Sequence, residues 1–163
     1  MLCARMKPSE LFQDDDLLLD FAPEDKWQAI HQLVDHLVAR GKIPPERHEE
    51  VLEAVLSRER SVSTGMEHGI AIPHAAVDDV PTVLACLGVI RDESGLEFES
   101  TDGQRTRVVV LLVIPRSQKL LHIRTLASVV RVLSRERVRE QLFVSEDRAA
   151  ARAVLVAGEQ SPA

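Results

Sequence analysis

The sequence predicts an α/β fold in which a central β-sheet carries helices on both faces. Two apolar runs carry that expectation. Val108 to Ile114 is unbroken and is stopped by Pro115, and Val83 to Ile90 is interrupted only by Gly88. Neither run alternates with polar residues, so each reads as a strand covered on both sides. The third observation is placement. Segments with helical spacing lie before, between and after the strand-like runs.

Taken in order, residues 1–16 are polar, and Asp14-Asp15-Asp16 reads as a solvated turn. Leu17-Leu18-Leu19 is a short strand. Pro23, at a first helical turn, opens a helix with Glu24 and Asp25 at its positive end. Trp27, Ile30, Leu33, Val34, Leu37 and Val38 form its apolar stripe, with Gly41 as the stop and His31 and His36 at the surface or boundary. Pro44-Pro45 introduces a second helix with Val51, Leu52, Val55 and Leu56 on one face, ending near Arg58. A Ser/Thr/Gly-rich loop follows, then a β-branched strand that Pro73 stops and His74 ends. Asp78-Asp79 with Pro81, and later Asp102-Gly103, are turns. Ser117 is the expected N-cap of a third long helix with Leu126, Val129, Val130 and Leu133 inward. Helical segments over 135–143 and 146–157 close the chain.

The chain of 163 residues fits one domain with a real core, spanning 1–163 with its core at about 9–158. A net charge of −6 argues against nucleic acid as a partner, because phosphate backbones attract basic faces. No apolar run reaches the roughly 20 residues that span a bilayer, and no secretory h-region opens the chain. Cys3 and Cys86 read as free thiols of a reducing compartment. The expected location is cytoplasmic, without membrane insertion.

The chemistry concentrates between Arg58 and His74. A neutral imidazole is a good nucleophile near pH 7, and attack on a phosphoryl group gives a phosphohistidine. Arg58 offers a permanent planar cation for phosphoryl oxygens. Ser63, Thr64 and the backbone N–H groups near Gly65 offer neutral donors. His122 falls in the first turns of the third long helix, where the dipole favours the neutral ring. For each histidine the plain alternative is structural: His74 caps a strand end, and His122 packs beside Leu126. No His-x-His or His-x₃-His spacing suits zinc, and no Walker, Gly-x-Ser-x-Gly or dinucleotide-binding motif is present.

Arg58-Glu59, Ser63-Thr64-Gly65 and Gly69-Ile70-Ala71-Ile72-Pro73-His74 together resemble the signature of enzyme IIA domains of the phosphoenolpyruvate:sugar phosphotransferase system, mannitol/fructose type, which includes the nitrogen-regulatory enzyme IIA. Gly95-Leu96-Glu97-Phe98 with Asp102-Gly103, and His122 ahead of Leu126-Ala127, extend the resemblance over residues 9–158. It implies a mixed sheet in a three-layer sandwich. It implies His74 as the phosphoacceptor of an HPr-like carrier, with His122 and Arg58 stabilising the phosphoryl group and no cofactor. The implied partners are that carrier and either an enzyme IIB or regulatory target proteins. A chain without an attached IIB-like part favours the nitrogen-regulatory role over sugar transport. Docking on other proteins, with or without phosphorylation as a switch, is the competing reading. Met66-Glu67-His68 departs from the family pattern. Glu67 replaces a usual glycine and would restrict the loop at a positive φ, and His68 reads as a solvated loop residue. Glu99-Ser100 stands where Asp-Ala is commoner. Met66 is either an exposed contact or a core residue.

Overall fold

The computed structural model describes residues 6–161; Cys3 lies outside them. Among the described residues the chain forms α1 (Pro8–Leu11), β1 (Leu17–Leu18), α2 (Lys26–Ala39), α3 (His48–Ser61), β2 (Ile70–Ala71), β3 (His74–Val77), β4 (Leu84–Val89), β5 (Val108–Pro115), α4 (Lys119–Leu133), α5 (Glu136–Val144) and α6 (Arg148–Gln160). The sheet runs β1-β4-β5-β2, with β3 also paired to β5. β4 and β5 are antiparallel, whereas β1 on β4 and both β2 and β3 on β5 are parallel. This is the mixed sheet between helical layers that the sequence led us to expect.

β5 is the centre of the molecule. Val108, Val109, Val110, Leu111, Leu112, Val113 and Ile114 are all fully buried. Burying one such side chain is worth about 1.5–3 kcal/mol, so this strand anchors both layers. Alternation does the sorting. Val109, Leu111 and Val113 join Ile30, Leu33, Val34, Leu37, Val51, Leu52, Val55 and Leu56 of α2 and α3. Val108, Val110, Leu112 and Ile114 join Val129, Val132 and Leu133 of α4, with Leu142 of α5 and Leu155 of α6.

The edge beside β5 is one strand with a gap. Ile70 pairs with Val108 and His74 with Leu112, so the register is unchanged across Ile72-Pro73. Pro73 cannot donate to the ladder, though its carbonyl still accepts from the Leu112 N–H at 3.1 Å. His74 therefore begins β3 rather than ending a strand.

Other expectations are corrected. Asp14-Asp15-Asp16 is not a merely solvated turn: Asp16 is buried, receives the Gln13 N–H and pairs with Lys42 at 2.6 Å. α2 begins after Pro23, with the Asp25 carboxylate accepting from the Gln28 N–H at 2.8 Å. Lys26, not Trp27, fills the inward position of its first turn; Trp27 is 36% exposed. Ser117 is not the cap of α4, which starts after Gln118 without a side-chain cap. The polar N-terminal segment includes α1, tied to α6 by Ser9 on Glu159 and by Arg152 on the Phe12 and Ser9 carbonyls. Cys86 is a buried free thiol, and burial pushes its pKa up. No helix among the described residues is long and apolar enough to cross a membrane.

Gly88 lets β4 approach Phe21: a Cβ there would lie 2.3 Å from the ring. Overpacking of this kind costs about 1–3 kcal/mol, and Gly88→Ala should lose that much in chemical denaturation. Unchanged stability would show that the ring moves aside freely.

Candidate active site

Three elements deliver the site. His74 is the first residue of β3, His122 lies in the first turn of α4, and Arg58 stands in the last turn of α3. The two rings meet edge to face, with centroids 5.2 Å apart and planes at 72°. His74 Nδ1 lies 2.8 Å from the Ile72 carbonyl oxygen, which can only accept, so Nδ1 carries the proton. Nε2 is left with the lone pair. The Arg58 guanidinium donates to the Val62 carbonyl at 2.8 Å, closing the end of its own helix.

The electrostatics favour neutral rings. Burial lowers the His74 pKa below its ordinary value; the Ile72 hydrogen bond opposes this, and Arg58 and His122 add to it. The Glu59 carboxylate works in the opposing direction. Burial and then the Arg58 charge lower His122. The arrangement thus joins a neutral, oriented nucleophile to a permanent cation and a second imidazole, which suits attack on an anionic electrophile.

Ser63, Thr64 and Gly65 take another part than the sequence suggested. The Ser63 hydroxyl donates to the Phe98 carbonyl, and the Gly65 N–H donates to Ser63 Oγ at 3.1 Å. The Thr64 N–H and hydroxyl both go to the Glu59 carboxylate. These donors are committed inside the loop, so the residues shape the site's wall. Gly65 is fixed there by contact, since a Cβ would meet the Phe98 carbonyl at 2.5 Å. The positive φ falls on His68 (68°) and Gly69 (72°), not on Glu67. Asp102 holds that strained turn through the His68 N–H at 2.9 Å, and His68 itself is exposed as expected. Met66 is half-buried against the core.

Sequence reasoning missed Glu59 and Lys26 as site residues. Both are buried, and they pair at 3.4 Å beneath the 63–65 loop. The signal was present: Glu59 continues the Leu52, Val55, Leu56 stripe, and Lys26 precedes Ile30 and Leu33 at helical spacing.

Fold and site together define an α/β sandwich with a histidine pair and an arginine gathered at an edge strand. Residues 10–157 match the family model described as "Phosphoenolpyruvate-dependent sugar phosphotransferase system, EIIA 2", and the chain belongs to that family. It is 32% identical over 139 residues to a fructose-specific EIIA component of a PTS system from Haloferax volcanii, covering 84% of this chain and 86% of that protein. It is 32% identical over 141 residues to the fructose-specific EIIABC component from Bacillus subtilis; the match covers 86% of this chain and only 22% of that longer protein. A nitrogen regulatory protein from Bradyrhizobium diazoefficiens is 27% identical over 150 residues, 92% of this chain and 95% of its own. The crystal structure of nitrogen regulatory protein IIA-Ntr from Neisseria meningitidis superposes with a TM-score of 0.78 at 24% identity, over 90% of this chain and 97% of that one. The structure of enzyme IIA mannitol in complex with phosphorylated enzyme IIB mannitol from Escherichia coli shares the fold at a TM-score of 0.74 and 21% identity, over 90% and 97% of the two chains.

A lowered histidine pKa has a consequence for stability. The unfolded His74 takes a proton as the pH falls through about 6.5, while the folded ring resists it, so stability is full above that pH and declines below it. Histidine NMR should show the His74 ring titrating below about 6.5, and His74→Gln should flatten the acid side of the stability curve. A titration at or above that value would contradict the burial argument.

Proposed function

We propose that the chain is a phosphocarrier that accepts a phosphoryl group on His74 Nε2 from an HPr-like phosphohistidine donor. The observation that carries this reading is the Nδ1 hydrogen bond to Ile72, which fixes the ring and leaves Nε2 unprotonated. In the transfer, the Nε2 lone pair forms the new N–P bond as the donor's N–P bond breaks. The leaving imidazole keeps that electron pair, and no proton need move at His74. Such transfer is mostly positioning and charge neutralisation. Arg58 supplies the permanent charge, and His122 supplies a ring N–H toward the equatorial oxygens. Ser63, Thr64 and Gly65 hold the wall behind them. Membership of the family supports the reading.

The same proposal extends to role. Near end-to-end similarity to a nitrogen regulatory protein supports a regulatory enzyme IIA, in which about 1.5–2 negative charges added at His74 alter docking on target proteins. The fructose-specific relatives support the alternative, onward transfer to an enzyme IIB.

Incubation with enzyme I, an HPr-type carrier and phosphoenolpyruvate should give one acid-labile phosphoryl adduct by intact mass on the wild type and none on His74→Ala. Arg58→Ala and His122→Ala should each slow its formation by about 10²–10³-fold, the scale of one lost charge-stabilising donor. An adduct that persists in His74→Ala would overturn the assignment.

A further inference from the structure

We infer that Glu59 is a positioning residue for the acceptor: its buried carboxylate, held by Lys26, clamps the 63–65 loop and through it sets the aim and tautomer of the His74 ring. This rests on the reading of His74 as phosphoacceptor.

Glu59 is 2% exposed and sits in the last turn of α3, where the helix dipole disfavours an acid. Burying it with Lys26 is a weak source of stability, since an apolar pair of similar volume commonly does as well. What an apolar pair cannot do is accept hydrogen bonds. The two Glu59 oxygens take the Thr64 N–H at 3.1 and 3.2 Å and the Thr64 hydroxyl at 2.6 Å. Lys26 Nζ donates to the same carboxylate at 3.4 Å. Lys26 is itself anchored, 4.8 Å from the Trp27 ring centroid, 6.0 Å from that of Phe98, and 3.8 Å from the exposed Glu99 carboxylate.

From Thr64 the connection continues without a break. The Thr64 carbonyl accepts from the Ile72 N–H at 3.2 Å, and the Ile72 carbonyl accepts from His74 Nδ1 at 2.8 Å. The residue whose carbonyl selects the protonated nitrogen of His74 is thus held through its own N–H by the residue that Glu59 holds. A displaced Thr64 frees Ile72, and a freed Ile72 carbonyl no longer favours Nδ1–H over Nε2–H. The Nε2–H tautomer has no lone pair at the attacking atom.

The test compares the wild type with Glu59→Gln, the double variant Glu59→Gln/Lys26→Met, Thr64→Val and Thr64→Ser. The double variant leaves no unpaired buried charge and guards against simple unfolding. Two-bond proton–nitrogen NMR above pH 7.5 reads the His74 tautomer, and a time course with the phosphorylated HPr-type carrier reads the rate. Glu59→Gln, the double variant and Thr64→Val should lower the Nδ1–H share and slow phosphorylation by roughly 10–100-fold, the scale expected for a misplaced reacting group. Thr64→Ser should retain both properties. Variants that only melt earlier, with wild-type tautomer and rate, would reduce Glu59 to a strut and overturn the inference. The tautomer readout needs no donor. A wild-type chain that takes up no phosphoryl group, yet whose His74 tautomer follows Glu59, would therefore sink the acceptor reading and uphold the positioning link.

Discussion

The backbone of Ile72 is the constraint on which the candidate site depends. Its N–H donates to the Thr64 carbonyl, and its carbonyl accepts a hydrogen bond from His74 Nδ1–H. The edge strand can spare it because Pro73 interrupts the ladder there. Register resumes at once, with His74 opposite Leu112, so the gap disturbs neither the sheet nor the core beneath it. A regular strand would bind this segment wholly to β5. A longer break would let the histidine wander. One proline between two short strands gives a backbone carbonyl free to orient a ring and a ring too well held to turn.

The charges follow the same logic of restraint. A site built from two protonated imidazoles and an arginine would repel itself before any anion arrived. Burial lowers the pKa of both rings, and the Arg58 charge lowers them further, so the neutral forms are favoured beside a permanent cation. The opposing Glu59 carboxylate lies behind the loop, fully committed to Lys26 and Thr64, and so moderates the arginine's field without occupying the space in front of the rings.

Much of this was legible in the sequence because it rests on local periodicity. The Ile30, Leu33, Val34, Leu37 stripe and the uninterrupted 108–114 run depend on spacing alone and fix two layers and their centre. β3 was not legible. His74-Ala75-Ala76-Val77 has little strand propensity and becomes a strand because β5 is there to pair with it. The Arg58, His74, His122 set is legible as an arginine and two histidines suited to phosphoryl chemistry, motif resemblance adds their implied roles, and the fold brings the two histidines side by side. Composition shows the 63–65 donors but not their partners: the Thr64 donors go to Glu59, the Ser63 hydroxyl to the Phe98 carbonyl and the Gly65 N–H to Ser63 Oγ. Lys26 and Trp27 exchanged places for a similar reason, since the partner that makes burying a lysine tolerable stands 33 residues away. The left-handed turn falls one residue after the position where the family pattern has its usual glycine, at His68, whose amide Asp102 holds.

The candidate site draws on both helical layers. Arg58 comes from the layer over one sheet face, His122 from the layer over the other, and His74 from the strand edge between them. During synthesis the arginine and the first histidine are made early, whereas α4 follows only after β5 has been completed. A nascent chain therefore holds His74 long before it holds the second ring, and neither α2 and α3 alone nor α4 to α6 alone can assemble the group. The three side chains come together only in a fold that includes the late helices on the finished sheet. Any signal carried by this histidine is in that sense also a certificate that the whole domain has closed.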